Sequence, residues 1–357
     1  MNRGGTESRL LDVLRCLDRS QFDPFLYVGK NRGDLLAEIH DQRVFVGPSD
    51  NLLRNLPGLW AILRREKPAV VWCLQSSFLS FAGRLVARML RTPAIVLSVH
   101  GRYEGRAVMD RPNRLLTRAL GSRVVVLSTI YRDWLANEGV PAHLIVVQHN
   151  GVDTQRFSPP TDPIAQKQAT LKVDPARPVI GTVGSLLPIK THEVLLRTAS
   201  RIVAKHPDAL FVFVGDGERR PALEQLAQTL GLSRNVRFLG KRNDVPDLLR
   251  AFDLFALSSY SEGCPNVVLE AMATGLPVVT TDYGGAAELV SDEVGIVTPA
   301  HDDAALAEAI IQLLGDPARR QAMAQAARRR AVEHFSLERM IQARERLLLE
   351  LLEQRHV

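Results

Sequence analysis

Residues 258–285 read SSYSEGCPNVVLEAMATGLPVVTTDYGG. The run DLFALSS (253–259), which leads into them, is short, apolar and bounded by polar residues, the pattern of a buried strand. Pro265 is pre-organised for a first helical position, so a helix should start there. Gly275 suits the left-handed position that ends a helix, and Pro277 follows shortly after. Strand, loop and helix in that order put a helix N-terminus at a strand's carboxyl end. Its amide groups and dipole suit an anion such as a diphosphate. Two carboxylates bracket the loop, Glu262 before the helix and Glu270 inside it. Helical side chains lean toward the N-terminus, so Glu270 can reach back toward a ligand there.

The same alternation runs through the chain. In the first half, strand-like runs are PFLYVG, VFVG, AVVWCL, AIVLSVH, RVVVLS and LIVVQHNG, separated by amphipathic segments such as LPGLWAILRREKP, GDLLAEIHDQ and LSFAGRLVARMLRTP. A polar, Pro-rich stretch, DTQRFSPPTDP (153–163), reads as a linker or domain edge. The alternation then restarts with PVIGTVG, LFVFVGDG, NVRFLG, DLFALSS, PVVTTD and GIVTP. Near-continuous apolar strands alternating with helices predict parallel sheets covered on both faces. The fold class expected is α/β, with two Rossmann-like doubly wound domains facing across a cleft. Their boundaries fall at 1–155 and 156–335, and a helix over 336–357 is expected to cross back to the first domain.

With 357 residues and 46% hydrophobic content there is ample material for two soluble cores. No apolar run is long enough to span a bilayer, and no charged-then-apolar leader is visible. Cys16, Cys73 and Cys264 are widely spaced, which fits neither a disulfide framework nor a zinc site. Cys16 and Cys73 read as core residues and the compartment as a reducing cytoplasm. Residues 1–155 hold 21 Lys and Arg against 14 Asp and Glu; the remainder holds 24 against 25. That asymmetry suggests an anionic partner for the first half. Arg84, Arg88 and Arg91 fall on one helical stripe, and Arg102, Arg106, Arg111, Arg114 and Arg118 follow. Peripheral docking on anionic lipid at the inner face of the cell membrane is the expected use, with a solvated charged face as the alternative. Nucleic acid is disfavoured, because the basic residues lack interleaved aromatics.

The runs GTVGSLLPIKTHEVLL, FVGDGERRPALEQLAQTLGLSRNVRFLGKRNDVPDLL and SEGCPNVVLEAMATGLPVVTTDYGGAAELV resemble the nucleotide-sugar domain of glycosyltransferase family 4. HNGVDTQRF resembles that family's inter-domain junction, with Asn150 and Gly151, and GGTE its first loop, which makes Gly4 and Gly5 the acceptor loop. The resemblance implies a GT-B fold and a retaining, metal-independent transferase. Such an enzyme moves sugar from a UDP- or GDP-sugar to a polysaccharide, lipopolysaccharide or glycolipid acceptor. It implies that Glu270 binds the ribose and Glu262 contacts the donor sugar near its anomeric carbon. Gly263, Cys264, Pro265 and Asn266 would hold sugar hydroxyls and phosphate, Lys190 the departing diphosphate, and His100 would position phosphate and acceptor. Thr191 reads as the N-cap of the helix after Lys190. The family's usual arginine is replaced by Ser185, so either Lys190 suffices, Lys241 or Arg242 substitutes, or turnover is slow. No D-x-D motif occurs, so no metal cofactor is expected and the leaving-group charge falls on Lys190 and backbone amides. A nucleotide-sugar epimerase or hydrolase on the same fold, and a non-catalytic nucleotide-sugar-binding homologue, are the alternatives. Family members usually begin with a buried strand that feeds the glycine loop. None precedes Gly4 here, which predicts a gap in the first sheet, or closure over it, and a start recorded from an internal methionine or a truncated chain.

Overall fold

The computed structural model describes residues 5–29, 43–49, 52–75, 77–100, 107–260 and 262–354. Gly4, Arg102, Arg106 and the segment 30–42, which includes GDLLAEIHDQ, lie outside the described residues. The chain divides into two units, residues 1–150 with 338–357, and residues 151–337.

In the first unit the strands are β1 (Phe25–Val28), β2 (Arg43–Val46), β3 (Val70–Leu74), β4 (Ala94–Val99), β5 (Arg123–Val126) and β6 (Ile145–Val147). All pairings are parallel, but they form two sheets, β1-β2 and β3-β4-β5-β6. Phe25 and Tyr27 of β1 and Val71 of β3 nevertheless share one apolar cluster with Leu59, Leu63 and Val86 of the helices Leu52–Glu66 and Phe78–Met89. Among the described residues, then, the helix layer is continuous where the sheet is not, and no strand joins β1 to β3.

The four-stranded sheet is covered on both faces, because successive side chains alternate. Leu97, Val99, Val124 and Val126 pack against Tyr131 and Leu135 of the helix Thr129–Asn137. The alternate residues Val96 and Val125, with Trp72 and Val70, pack against Leu347 and Leu351 of the last helix, Leu337–Glu353. Gln148 donates to the Ala343 carbonyl at 2.9 Å, which fixes that helix's register.

Three expectations are corrected in this unit. Arg84 is not part of a surface stripe. It is wholly buried, donating to Thr117 Oγ1 at 2.7 Å and to Asn113, and so joins the helix Phe78–Met89 to the helix Ala107–Leu120. Burial brings its pKa down to about 10. Arg88, Arg91, Arg111 and Arg118 are exposed, and Arg114 pairs with Glu138 at 2.8 Å. Cys16, the last residue of the helix Gly5–Cys16, is exposed rather than in the core, and Cys73 is half-buried. Gly5 opens that helix instead of sitting in a loop before it.

The second unit carries β7 (Val179–Val183), β8 (Leu210–Val214), β9 (Val236–Gly240), β10 (Leu254–Leu257), β11 (Val278–Thr281) and β12 (Gly295–Thr298). They form one parallel sheet in the order β12-β11-β10-β7-β8-β9. The chain runs outward from β7 to β9, then crosses back to β10 and runs outward the other way. That reversal makes β7 and β10 the switch point, outside whose carboxyl ends a doubly wound sheet binds its ligand. One face is filled by Ile180, Phe211, Phe213, Leu254 and Val279 against Leu195, Leu196, Ile202, Ile310 and Leu313. The stretch 153–163 is tied down: Arg328 donates to the carbonyls of Thr154, Phe157 and Ala273, and Arg250 to those of Arg156 and Ser158.

Candidate active site

Two loops meet at the switch point. The loop after β7 runs from Gly184 to the short 3-10 turn Pro188–Lys190 and enters the helix His192–Val203. The loop after β10 runs from Ser258 to the helix Asn266–Ala273. They are stitched together by the Thr191 hydroxyl donating to the Ser258 carbonyl. The Ser258 hydroxyl donates back to the carbonyls of Lys190 and Thr191, both at 3.1 Å, and Tyr260 N–H to Ile189 at 3.2 Å. Thr191 stands at the N-cap position, but in left-handed backbone (φ 42°) and with its hydroxyl engaged by the β10 loop, so it makes no side-chain cap. Pro265 is the N-cap residue, φ −68° and ψ 110°, and the helix begins one residue later than expected, at Asn266. The other end is as the glycine predicts. Gly275 has φ 77°, Gly275 N–H reaches Met272 O and Leu276 N–H reaches Ala271 O, both at 3.0 Å, a Schellman closure.

The Lys190 ammonium forms an ion pair with the Glu262 carboxylate; the side chains are only 16% and 18% exposed. The lysine stem lies along Gly184: a Cβ there would stand 3.7 Å from Lys190 Cε and 3.8 Å from Nζ. The Glu262 backbone is gripped by the loop after β11. Gly285 N–H donates to Glu262 O at 2.7 Å, and a Cβ on Gly284, whose φ is 73°, would collide with the Glu262 main chain. Gly284 of DYGG therefore lets one loop lie directly on another. A glycine pair just after a strand is the sequence signal for this close approach.

Ser185 is exposed in the β7 loop, while Gly263, Cys264 and Pro265 are buried between Glu262 and the helix. Asn266 and Glu270 are half-buried on that helix, Glu270 just over one turn along. The structure thus brings Lys190, Glu262, Ser185 and residues 263–266 to one strand edge. Arg242, in contrast, follows β9 and is committed to Asp244, with its Nε 2.8 Å from Oδ1; that pair holds the guanidinium pKa above its usual value. Next to Lys190, His192 is 3% exposed with its ring 5.8 Å from Phe213. Burial, and then the Lys190 charge, push its pKa down to about 4.

His100 belongs to the first unit, at the carboxyl end of β4. Burial, and then the Arg344 charge, bring its pKa down to about 4, so the imidazole is neutral at physiological pH. Arg344 comes from the last helix and lies over the Trp72 ring at 5.9 Å; the Trp72 indole donates to Ser98 Oγ, two residues before His100, at 2.6 Å. Among the described residues no group of three or more His, Cys, Asp or Glu stands close enough to hold a metal ion. No described helix is long and apolar enough to cross a membrane.

Residues 164–330 match the sequence profile of the family Glycosyl transferases group 1, and residues 3–156 that of Glycosyltransferase Family 4. The chain belongs to glycosyltransferase family 4. It is a glycosyltransferase of the GT-B fold. Among its curated relatives is the Escherichia coli UDP-Gal:alpha-D-GlcNAc-diphosphoundecaprenol alpha-1,3-galactosyltransferase, 30% identical over 87% of this chain and 85% of the relative. The D-inositol 3-phosphate glycosyltransferase of Salinispora tropica is 38% identical over 95% of this chain and 79% of the relative. The crystal structure of Anabaena HepE in complex with UDP and glucose superposes with a TM-score of 0.84 at 25% identity, covering 97% of this chain and 96% of that one.

Proposed function

We propose that this glycosyltransferase moves a sugar from a UDP- or GDP-sugar to a polysaccharide, lipopolysaccharide or glycolipid acceptor, with retention of anomeric configuration and without a metal ion. The observation that carries this reading is the Lys190–Glu262 pair at the β7/β10 switch point, beside the N-terminus of the helix Asn266–Ala273. A nucleoside diphosphate entering there takes Lys190 as its counter-ion and the helix N-terminus as its amide donor. Glu262, released from Lys190, faces the sugar near its anomeric carbon, and Glu270 accepts from ribose hydroxyls. The anomeric C–O bond to the diphosphate breaks, a bond to the acceptor oxygen forms on the same face, and the acceptor proton passes to the departing phosphate oxygen. Neutral His100 serves as a hydrogen-bonding group rather than a cation. Ser185 stands where the family resemblance implies an arginine, which leaves Lys190 as the diphosphate's side-chain cation, and the bond to Asp244 argues against Arg242 as a replacement. Named relatives that use a UDP-galactose donor on a diphosphoundecaprenol-linked sugar, or GDP-mannose on a phosphatidylinositol mannoside, support the substrate classes.

The test is incubation with UDP- and GDP-sugars, with and without lipid-linked acceptors. Nucleotide release that requires an acceptor, persists in EDTA and gives a product of unchanged anomeric configuration by NMR is expected. Donor conversion without acceptor would instead identify an epimerase or hydrolase, and donor binding with no turnover a non-catalytic homologue.

A further inference from the structure

Beyond the charged pair, the carboxyl edge of the second sheet carries three rings. Tyr260 follows β10, Tyr283 follows β11 and His301 follows β12, one from each of three adjacent strands. The Tyr260 ring lies 5.9 Å from that of Tyr283, edge to face, and 6.0 Å from the His301 ring, tilted by 35°. These are favourable aromatic geometries, yet the group is not core: Tyr283 is 47% exposed, His301 is exposed and Tyr260 half-buried.

The loops beneath are held in place. Ala300 N–H donates to Asp282 Oδ1 at 2.9 Å, and Asp282 N–H to Thr298 O at 2.8 Å, clamping the β12 loop to the β11 loop. Tyr260 is tied to the Lys190 turn through Ile189 and lies two residues before Glu262. His301 occupies left-handed backbone (φ 61°), immediately before Asp302, which caps the helix Asp303–Gly315. Glycine would take that conformation without strain. Histidine supplies the ring that glycine lacks, and strain held in an exposed loop beside a reaction site points to use.

An exposed, immobilised set of rings beside a sugar-transfer centre matches one chemistry. A pyranose presents its C–H bonds on one face, and that face is apolar while its hydroxyls point outward. We propose that Tyr260, Tyr283 and His301 form an aromatic shelf that carries a pyranose ring of the substrate next to Glu262. The proposal rests on the reading of Lys190 and Glu262 as the transfer site. Donor sugar and acceptor sugar share this chemistry, and the experiment separates them.

Tyr283→Ala and His301→Gly are made singly and together; one removes an exposed side chain and the other relieves backbone strain, so both fold, as melting temperature verifies. Calorimetry with UDP, UDP-glucose, GDP and GDP-mannose reads the donor. Saturation-transfer NMR with methyl α-D-glucopyranoside and methyl α-D-mannopyranoside, in excess nucleotide, reads a free sugar. Affinity for UDP or GDP alone should stay unchanged. Weakening of the nucleotide-sugar by about three- to tenfold assigns the shelf to the donor sugar. Unchanged nucleotide-sugar binding, with loss of the glycoside signal, assigns it to the acceptor. Wild-type and variant results that agree in both arms overturn the shelf, as does a wild type that binds nucleotide but shows no sugar-dependent signal in either. A wild type that binds neither UDP nor GDP overturns the proposed transfer site instead, and the glycoside arm then judges the shelf by itself.

Discussion

Lys190 and Glu262, 72 residues apart in the chain, neutralise each other at the head of the β7/β10 switch point. On the proposed reading, a diphosphate and a sugar meet at this pair, and each side chain competes with the ligand for the other. Glu262→Ala should therefore bind UDP tighter than the parent, by about fivefold or more, since ~1 kcal/mol is the upper value for an exposed pair and this one is largely buried, while losing turnover. Lys190→Ala should bind UDP about 10- to 100-fold more weakly, the range of a lost hydrogen bond to a charged group. Calorimetry with UDP reads both. Equal UDP affinity in the Glu262→Ala variant and the parent would show that the carboxylate does not stand in the ligand's way.

The glycine pair of DYGG gives a sharper geometric test. Gly284 has φ 73° and touches the Glu262 main chain, so Gly284→Ala meets both strain and collision. Strain of about 1–3 kcal/mol is expected in stability. Glu262 would be displaced, so kcat should fall by more than the stability loss explains. Gly231, also at positive φ (70°) but with open space around it, is the control: Gly231→Ala should lower stability and leave kcat alone. Parallel urea denaturation and turnover measurements on the two variants separate the effects.

The alternation of strands and helices was legible because most strands are short apolar runs, such as Val179–Val183 and Leu210–Val214, whose burial on both faces leaves few polar residues to blur them. Local rules failed where a longer-range partner competes. Thr191 has the chemistry of a cap, but the Ser258 carbonyl takes its hydroxyl. Arg84, Arg88 and Arg91 have helical spacing, but spacing defines a stripe without saying which side of the helix faces a neighbour. Asn113 and Thr117, about thirty residues on, settle that for Arg84. The Lys190–Glu262 pair and the three rings at the strand ends depend on strand order, which no local pattern encodes.

Burial of Arg84 changes how the basic first unit is tested for lipid binding. The exposed side of the helix Phe78–Met89 carries Phe78, Leu85 and Met89, with Arg88 beside them. Apolar side chains rimmed by arginine suit an anionic bilayer surface. We predict that Arg88→Glu together with Met89→Ser lowers co-sedimentation with phosphatidylglycerol vesicles severalfold, an effect that fades in high salt. Arg84→Met should act on stability instead, because it strips Asn113 and Thr117 of their buried donor. No dependence on anionic lipid or salt in the parent protein would refute peripheral docking of the first unit on anionic lipid.

Two imidazoles make the fold sensitive to acid. His192 and His100 have pKa values of about 4 against an ordinary 6.5, through burial first and through Lys190 and Arg344 second. A folded-state pKa below the unfolded value means that unfolding takes up a proton between those two values. Stability is therefore fully present above pH 6.5 and is lost as pH falls toward 4. For His192, 3% exposed in the second unit, the loss should reach about 2 kcal/mol by pH 5, at 1.36 kcal/mol per unit. His192→Leu should be less stable than the parent at pH 7.5 but have a flatter pH dependence, and the two curves should converge on acidification. Arg344→Met should raise the His100 pKa, since it removes a cation, and bring protonation of that imidazole nearer neutrality. Urea midpoints between pH 5 and 8, with His C–H proton shifts followed by NMR, read both effects; parallel stability curves for His192→Leu and the parent would show that His192 is not buried in its neutral form.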